Sequence, residues 1–403
     1  MYNNIKSHDR LGPVLFYCIV LSLLPILISH GDSKYIILVG VFSVLQYLIL
    51  LFYYSPHFIF GINKTLLLFS LIFMISQTFT LLFTSFSNNI EINNFDFINI
   101  FVRFITILLF VCIPMQFSIS QKSLEKFMFG IVFLGIVACI YNIIVNFDGL
   151  LNITSINNSY EATFKSFFPN RNIFGQLLLF CIIANTYLFI KKSSLIYLFN
   201  YLILGLNLFT SFSRTAIASA SIFLLLLLIY YLKRRFLLTL FISFFVIIIS
   251  TIIISNENIS VFLTNNLFRL ENGTSGRTAL WELGFQILKE SNLIFGVGYL
   301  TGVNILNKLG LPEQFHSFYI ETLVGGGIID LILHFVLILF IIEKIYKIYK
   351  KEQITGYIFF SAYIAFLFYA FFESASFFSM GYVDSLFRIF LITIPLLYAN
   401  NVK

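Results

Sequence analysis

Residues 11–29 read LGPVLFYCIVLSLLPILIS, an apolar run that contains no charged side chain. A helix needs about 20 such residues to cross the ~30 Å hydrocarbon core of a bilayer. Runs of this length recur along the chain, and they are too continuous for barrel strands, which alternate over about 10 residues. The first run follows Lys6 and Arg10, as in a signal peptide, but no small-residue cleavage site comes after it. We therefore expect a retained first membrane helix.

The composition of the 403-residue chain points the same way, because 59% of its residues are hydrophobic and only 11% are charged. Soluble chains are roughly a quarter charged, and a single soluble core stops growing at about 250–300 residues. Composition therefore excludes a soluble globular enzyme, a disordered chain and a disulfide scaffold. All four cysteines lie within apolar runs, so we expect no disulfide.

The apolar runs predict an all-α fold, a polytopic helical membrane bundle of about 12 transmembrane helices. Their approximate bounds are 11–29, 34–54, 65–86, 97–117, 126–147, 172–190, 195–212, 215–232, 236–255, 317–342, 354–372 and 383–399. The predicted organisation is transmembrane helices 1–9 in residues 1–255, a large extracytoplasmic loop over 256–315, and transmembrane helices 10–12 in residues 316–403.

The basic residues predict the orientation. When both termini are placed in the cytoplasm, most of the 25 Lys and Arg residues fall in cytoplasmic segments, as the positive-inside rule requires. The net charge of +7 is then mainly a topology signal, and a nucleic-acid partner loses its support. Two arginines, Arg103 and Arg388, fall inside predicted spans.

The outer loops keep a set of arginines that opposes this charge bias, and each of them needs a reason. The set is Arg171, Arg214, Arg269 and Arg277. The planar guanidinium fork binds phosphate or carboxylate through two hydrogen bonds, which favours an anion-binding role. The alternative is that each arginine snorkels or pairs with a nearby acid, and the sequence leaves both interpretations open.

Within the large loop, residues 274–290 have helical periodicity, which predicts an amphipathic helix. Its apolar side carries Leu280, Gly284, Ile287 and Leu288. Thr274 or Ser275 is the expected N-cap. Arg277 would then lie in the first turn, where backbone N–H groups attract anions. The following 295–302 segment is neither a G-x-G-x-x-G nor a P-loop motif, so we interpret it as a turn-rich connector.

His316 stands where the loop re-enters the membrane, at the start of the tenth span. The five histidines show neither an H-E-x-x-H pattern nor cysteine partners, so no metal site is expected. A G-x-S-x-G nucleophile motif is absent as well. Imidazole exchanges protons near neutral pH, which suits a general base. The alternative is an interfacial histidine without a role.

Ionisable residues inside the predicted spans lie mostly in their outer halves. Glu321 is in the outer third of the tenth span, and Glu373 ends the eleventh. Asp330 and His334 lie deeper and are i, i+4 neighbours that could pair, below a Gly325–Gly327 run that allows a helix break or close packing. A transporter would place its site near the midplane. The distribution favours an enzyme acting on a lipid-linked head group.

Four motifs, in this order, resemble the signatures of the O-antigen ligase and polymerase superfamily. They are Asn170-Arg171-Asn172 followed by Gly175, then Ser213-Arg214-Thr215, then Ser275-Gly276-Arg277, and finally His316 to Glu321 followed by Gly325–Gly327. Ser317 departs from the pattern, in which asparagine is common at this position. Asp330 and His334 are not part of it. The resemblance therefore does not define the sugar substrate.

By this resemblance the protein is a glycosyltransferase of the bacterial inner (plasma) membrane that is metal-independent and needs no cofactor. It moves glycan from undecaprenyl diphosphate to an acceptor outside the cytoplasm. The resemblance implies that Arg214 and Arg277 bind the diphosphate and stabilise its leaving charge, and that His316 deprotonates the acceptor hydroxyl. Further candidates for substrate binding are Arg171, Arg269 and Glu321. The implied partners are the lipid-linked donor, the glycan acceptor, membrane lipids and a chain-length regulator.

Three functions compete on this basis. The first is a Wzy-type polymerase that joins repeat units of O-antigen or capsular polysaccharide, which we favour because such polymerases are numerous and divergent. The second is an O-antigen ligase that moves the glycan onto lipid A-core. The third is a flippase or another transporter of lipid-linked oligosaccharide, which would explain twelve spans but neither the large loop nor the outer arginines.

Overall fold

The structure, a computed structural model, describes residues 7–29, 34–55, 64–86, 91–152, 164–232 and 276–402. Helices dominate these ranges. The strands found within them are two short segments, Ser7–His8 and Ser118–Ile119, which pair in parallel. The remaining described residues form turns and connections between helices.

The helices follow one another with mostly short connections. In chain order they are α1 (Leu11–Ser29), α2 (Tyr35–Tyr54), α3 (Lys64–Ser85), α4 (Phe95–Ile107), α5 (Gln121–Val145), α6 (Phe147–Leu151), α7 (Arg171–Lys192), α8 (Leu195–Thr210), α9 (Arg214–Leu232), α10 (Arg277–Glu290), α11 (Tyr299–Lys308), α12 (Phe318–Lys351), α13 (Gln353–Phe372), α14 (Tyr382–Phe387) and α15 (Ile394–Asn401). A π-helix, Leu108–Cys112, continues α4, and another, Arg388–Thr393, joins α14 to α15.

Ten helical segments in the described ranges are long and apolar enough to cross a membrane, and α8 is a shorter apolar helix. Each predicted span coincides with one of these segments, except the span at 236–255, which lies outside the described residues. The prediction of an all-α, polytopic membrane protein is therefore confirmed. The predicted large loop contains α10 and α11, while its first part, 256–275, lies outside the described residues, so its bounds stay a prediction.

The chain divides into two compact units. The first comprises Met1–Phe127, Gly276–Phe359 and Ala370–Lys403, and the second comprises Met128–Ser275 and Phe360–Tyr369. His316 and both described loop helices belong to the first unit. Arg171 and Arg214 belong to the second.

A break in α12 shapes the first unit. At Gly327 the backbone leaves the helical region, with φ 70° and ψ −168°. Four backbone hydrogen bonds join the residues around the break to the loop segment 293–298. They are Val297 N to Val324 O (2.8 Å), Gly298 N to Gly325 O (2.9 Å), Ile328 N to Leu293 O (3.0 Å) and Ile329 N to Ile294 O (3.3 Å). A broken membrane helix needs such partners, because the bilayer core has no water to satisfy freed backbone groups.

Glycine is required where these two segments touch. A Cβ atom at Gly327 would lie 2.1 Å from the Ile294 carbonyl oxygen, and one at Gly296 would lie 2.5 Å from the Val324 carbonyl oxygen. The glycine run was expected to allow a helix break or close packing, and the structure shows both. The predicted connector at 295–302 is a turn only as far as Gly298, because α11 begins at Tyr299.

A buried polar network surrounds Asp330, which lies three residues after Gly327 on α12, and it includes Tyr299 at the start of α11. Asp330 accepts hydrogen bonds from Gln77 Nε2 at 2.7 Å and from the Tyr299 hydroxyl, and its Oδ1 lies 3.2 Å from His334 Nδ1. The predicted i, i+4 pair is therefore confirmed. The Arg103 guanidinium stacks 3.3 Å from the centre of the Tyr299 ring. Burial raises the pKa of Tyr299 well above its ordinary value, which keeps its hydroxyl available as the donor to Asp330.

Candidate active site

His316 adopts an unusual backbone conformation at the entrance to α12. Its φ of 52° lies in the left-handed region that residues with a Cβ atom rarely adopt. Ser317 then returns to an extended conformation as the N-cap, and α12 begins at Phe318. Strained residues of this kind persist where the surroundings fix them, and they cluster at functional sites. The imidazole remains 32% exposed, so an approaching molecule can reach it.

The residue before the histidine is held by side chains from two helices. Trp281 Nε1, on α10, donates to the Phe315 carbonyl oxygen at 3.0 Å, and the Phe315 N–H donates to Glu321 Oε1 at 3.2 Å. The Phe315 ring is buried in an apolar cluster that includes Leu280, Leu288 and Val324. Both polar groups of the Phe315 backbone are thus fixed, which explains how the strain at the next residue is maintained.

The amphipathic helix α10 carries Arg277 into this region. Its buried residues are Leu280, Gly284, Ile287 and Leu288, as the periodicity predicted. The expected N-cap was wrong: the N-cap is Gly276, not Thr274 or Ser275, and those two residues lie outside the described ranges. With φ 77°, Gly276 makes a left-handed turn that serine and threonine disfavour. Arg277 is the first helical residue, so it lies in the first turn, as predicted.

Glu373 lies between Arg277 and His316. It follows α13 directly, and its Oε1 accepts from Arg277 Nη2 at 2.6 Å. Its other oxygen, Oε2, lies 3.9 Å from His316 Nδ1. The carboxylate side chain is only 8% exposed, so the arginine compensates a charge that is largely removed from water.

Glu321 forms hydrogen bonds beside both His316 and Glu373, to Phe315 and to Ser374. It lies in the first turn of α12 and accepts a hydrogen bond from the Ser374 hydroxyl in addition to that from the Phe315 N–H. The Phe318 N–H donates to the Glu373 carbonyl oxygen at 3.1 Å. These contacts attach the 373–374 segment to the start of α12, which begins two residues after His316.

In the second unit, Arg171 and Arg214 are the first residues of α7 and α9. The side chain of Asn170 caps α7 by accepting from the Ile173 N–H at 2.9 Å. One turn further on, a Cβ atom at Gly175 would lie 2.7 Å from that of Ser213, so the two helix starts are in close contact. The spacing of the Asn170 to Gly175 motif thus places two arginines at adjacent helix N-termini, where unpaired backbone N–H groups favour anions.

The structure therefore groups the predicted site residues in two places. Arg277, His316 and Glu321 are brought together in the first unit, and Arg171 and Arg214 in the second, while Arg269 lies outside the described residues. Glu373 was missed as a site residue, although an acid that directly follows an apolar span was a usable signal. Across the described ranges, no three His, Cys, Asp or Glu side chains are grouped as metal ligands would be.

One family model matches part of the chain. Residues 199–335 match a family model described as O-antigen ligase. The match confirms the resemblance to the O-antigen ligase and polymerase superfamily that the motifs indicated. It contains Arg214, Arg277, His316 and Glu321, and it ends before Glu373. No curated protein matches the chain.

Proposed function

We propose that this multi-pass membrane protein polymerises undecaprenyl-diphosphate-linked oligosaccharide repeat units of O-antigen or capsular polysaccharide. The O-antigen ligase family supports activity of the ligase or polymerase type. The observation that carries the proposal is the strained, partly exposed His316 beside the Arg277–Glu373 pair, because it combines a base, a cation and an acid at the entrance to a membrane helix.

The proposed reaction is a single displacement. The acceptor hydroxyl attacks the anomeric carbon of the donor sugar and gives its proton to His316. The bond from that carbon to the diphosphate oxygen breaks, and the electron pair leaves with undecaprenyl diphosphate. Such a displacement inverts the configuration at the anomeric carbon. General-base catalysis of this kind contributes about 10²–10⁴-fold to a rate.

Arginines are the proposed binding groups for the donor diphosphate. A guanidinium offers a planar set of N–H donors that matches phosphate oxygens and stabilises the charge that develops as the bond breaks. Arg277 is proposed for this role in the first unit, and Arg214 with Arg171 in the second. Since arginine supplies this positive charge, we propose a mechanism that requires neither metal ion nor cofactor.

The proposed orientation puts both termini in the cytoplasm of a bacterium and His316 at the outer face of its plasma membrane. The predominance of lysine and arginine in the predicted cytoplasmic segments supports it. The donor head group would then meet the acceptor at the outer interface. Glycan acceptor, lipid-linked donor and a chain-length regulator are the proposed partners.

A reconstituted assay tests the polymerase against the ligase. Purified protein in liposomes receives only the lipid-linked repeat unit, and the products are separated by size. We expect glycans of several repeat units on the lipid carrier. Transfer that requires added lipid A-core would support the ligase instead. Movement of the repeat unit across the bilayer without any new glycosidic bond would support a flippase and contradict both enzyme functions.

A further inference from the structure

The proposed reaction gives no role to Glu373, the carboxylate next to both the base and the cation. We infer that Glu373 is a positioning residue that exchanges partners when the donor binds. It holds Arg277 before the donor binds, and it holds His316 in the donor complex. This inference rests on the proposed function, because the exchange requires a donor that carries a diphosphate.

The arginine side of the exchange follows from charge. In the structure, Arg277 Nη2 lies 2.6 Å from Glu373 Oε1, and the two side chains are 16% and 8% exposed. A diphosphate carries more negative charge and more acceptor oxygens than a carboxylate, and it matches the guanidinium fork at least as well. Donor and Glu373 therefore compete for the same guanidinium, and donor binding weakens its bond to Oε1.

The histidine side of the exchange follows from distance. His316 Nδ1 is buried and has no hydrogen-bond partner among the described residues. Its 3.9 Å separation from Glu373 Oε2 is too long for a hydrogen bond. A side-chain shift of about 1 Å would bring the two atoms within hydrogen-bond range. Rotation of a carboxylate released from Arg277 supplies a movement of this size.

The backbone around Glu373 and His316 already has the position that the proposed donor complex requires. The bond from the Phe318 N–H to the Glu373 carbonyl oxygen, 3.1 Å long, ties residue 373 to the helix that begins two residues after His316. The exchange therefore needs only side-chain motion. Once Nδ1–H donates to the carboxylate, the other ring nitrogen, Nε2, carries the free lone pair that removes the acceptor proton.

The consequence is an enzyme whose base becomes aligned only after the donor has bound. Glu373 would then restrain donor affinity slightly, because it competes for Arg277, and it would assist turnover, because it orients the imidazole. A side chain with a merely structural role would affect both quantities in the same direction. This opposite effect on binding and turnover distinguishes the two cases.

The test uses the full-length Glu373→Gln variant, which keeps the size of the side chain and removes its charge. Binding is measured with undecaprenyl diphosphate itself as the probe, and turnover with the lipid-linked repeat unit that accumulates in a deletion strain. We expect about a 10- to 100-fold lower kcat together with several-fold tighter binding of the probe. In a His316→Ala background, Glu373→Gln should reduce kcat no further, since the two residues act through one another.

Glu313→Gln is the matched control, because Glu313 is an exposed acid in the loop that leads to His316, and it should leave both quantities unchanged. Parallel losses of probe binding and turnover in Glu373→Gln would overturn the inference, as would an additive effect in the His316→Ala background. A wild-type protein that binds the probe but forms no glycosidic bond would instead overturn the proposed function. If Glu373→Gln does not accumulate in the membrane, the same measurements on Glu373→Asp decide, because retained charge should preserve turnover.

Discussion

The two arginine-bearing regions differ in what surrounds the cation. In the first unit, Arg277 begins a surface helix, contacts the Glu373 carboxylate and lies near a histidine in a strained conformation. In the second unit, Arg171 and Arg214 begin two membrane helices whose starts are in close contact. The first region combines groups that can move a proton and neutralise charge. The second presents cations at helix N-termini, an arrangement suited to holding an anion. Chemistry and anion binding are therefore expected to respond differently to mutation.

His316 gives the largest expected effect. His316→Ala should lower the rate of glycan transfer by about 10²–10⁴-fold, because the base is lost, while undecaprenyl diphosphate still binds. The initial rate and the dissociation constant of the probe check the two parts. His316→Gly is the matched folding control, since glycine adopts the observed φ of 52° without strain. A His316→Gln enzyme of near-normal rate would contradict the general-base role.

Substitutions of the arginines have the next largest expected effect, and they distinguish the two regions. Arg277→Ala should weaken donor binding and also destabilise the protein by about 1–3 kcal/mol, because the buried Glu373 carboxylate loses the guanidinium that compensates its charge. Adding Glu373→Gln should restore the melting temperature but not binding.

Arg214→Ala should weaken donor binding, and Arg→Lys at either Arg214 or Arg277 should fail to recover it, because lysine lacks the planar fork. Full activity in both lysine variants would mean that a diffuse positive charge suffices.

A pair of glycine substitutions compares the scaffolds of the two regions. Gly327→Ala should destabilise the first unit by about 2–4 kcal/mol, because the residue has a positive φ and its Cβ atom would meet a carbonyl oxygen. Gly175→Ala should cost less, because Gly175 lies within a helix whose φ alanine adopts without strain, so only its contacts with the Cβ atoms of Ser213 and Ala216 oppose the substitution. Thermal unfolding in detergent measures both. Equal stability of Gly327→Ala and the wild type would contradict the close contact between Gly327 and Ile294 at the helix break.

The smallest effect on activity is expected from cysteine substitutions that report the side of the membrane. Pro169→Cys in the second unit and Lys308→Cys in the first should both react with an impermeant thiol reagent added outside, whereas Lys350→Cys should not. All three positions are exposed, and the four native cysteines are buried, which keeps the background low. Labelling of Lys350→Cys from outside would reverse the orientation. Labelling of only one of the other two would place the two arginine regions on opposite faces.

Much of this architecture was predictable because it depends on local patterns. The length of the apolar runs predicts the membrane helices. Helical periodicity predicts each of the four buried residues of α10. The pair of Asp330 with His334 was predictable because both lie on one helix, four residues apart. These features require no knowledge of which distant segments meet.

The core of the candidate site was not predictable for the opposite reason. Arg277 and Glu373 are 96 positions apart in sequence, and only the folded chain brings them together. The predicted N-cap was wrong because the prediction relied on the general preference for serine and threonine at that position. The turn has a positive φ, which Gly276 adopts more readily. The glycine run indicated that α12 could break or pack closely, but it did not reveal which backbone groups would satisfy a break.

The hydrogen-bonded break in α12 has a consequence for anyone who builds chimeras from this protein. The segment 293–298 supplies partners for four backbone bonds of a membrane helix, so the loop that contains it is not a separable insert. A loop transplanted from a relative would meet a foreign helix at an interface where a Cβ atom at Gly296 or Gly327 cannot fit. Residues 293–298 and 324–329 therefore form one transplantable unit, and specificity swaps should exchange them together.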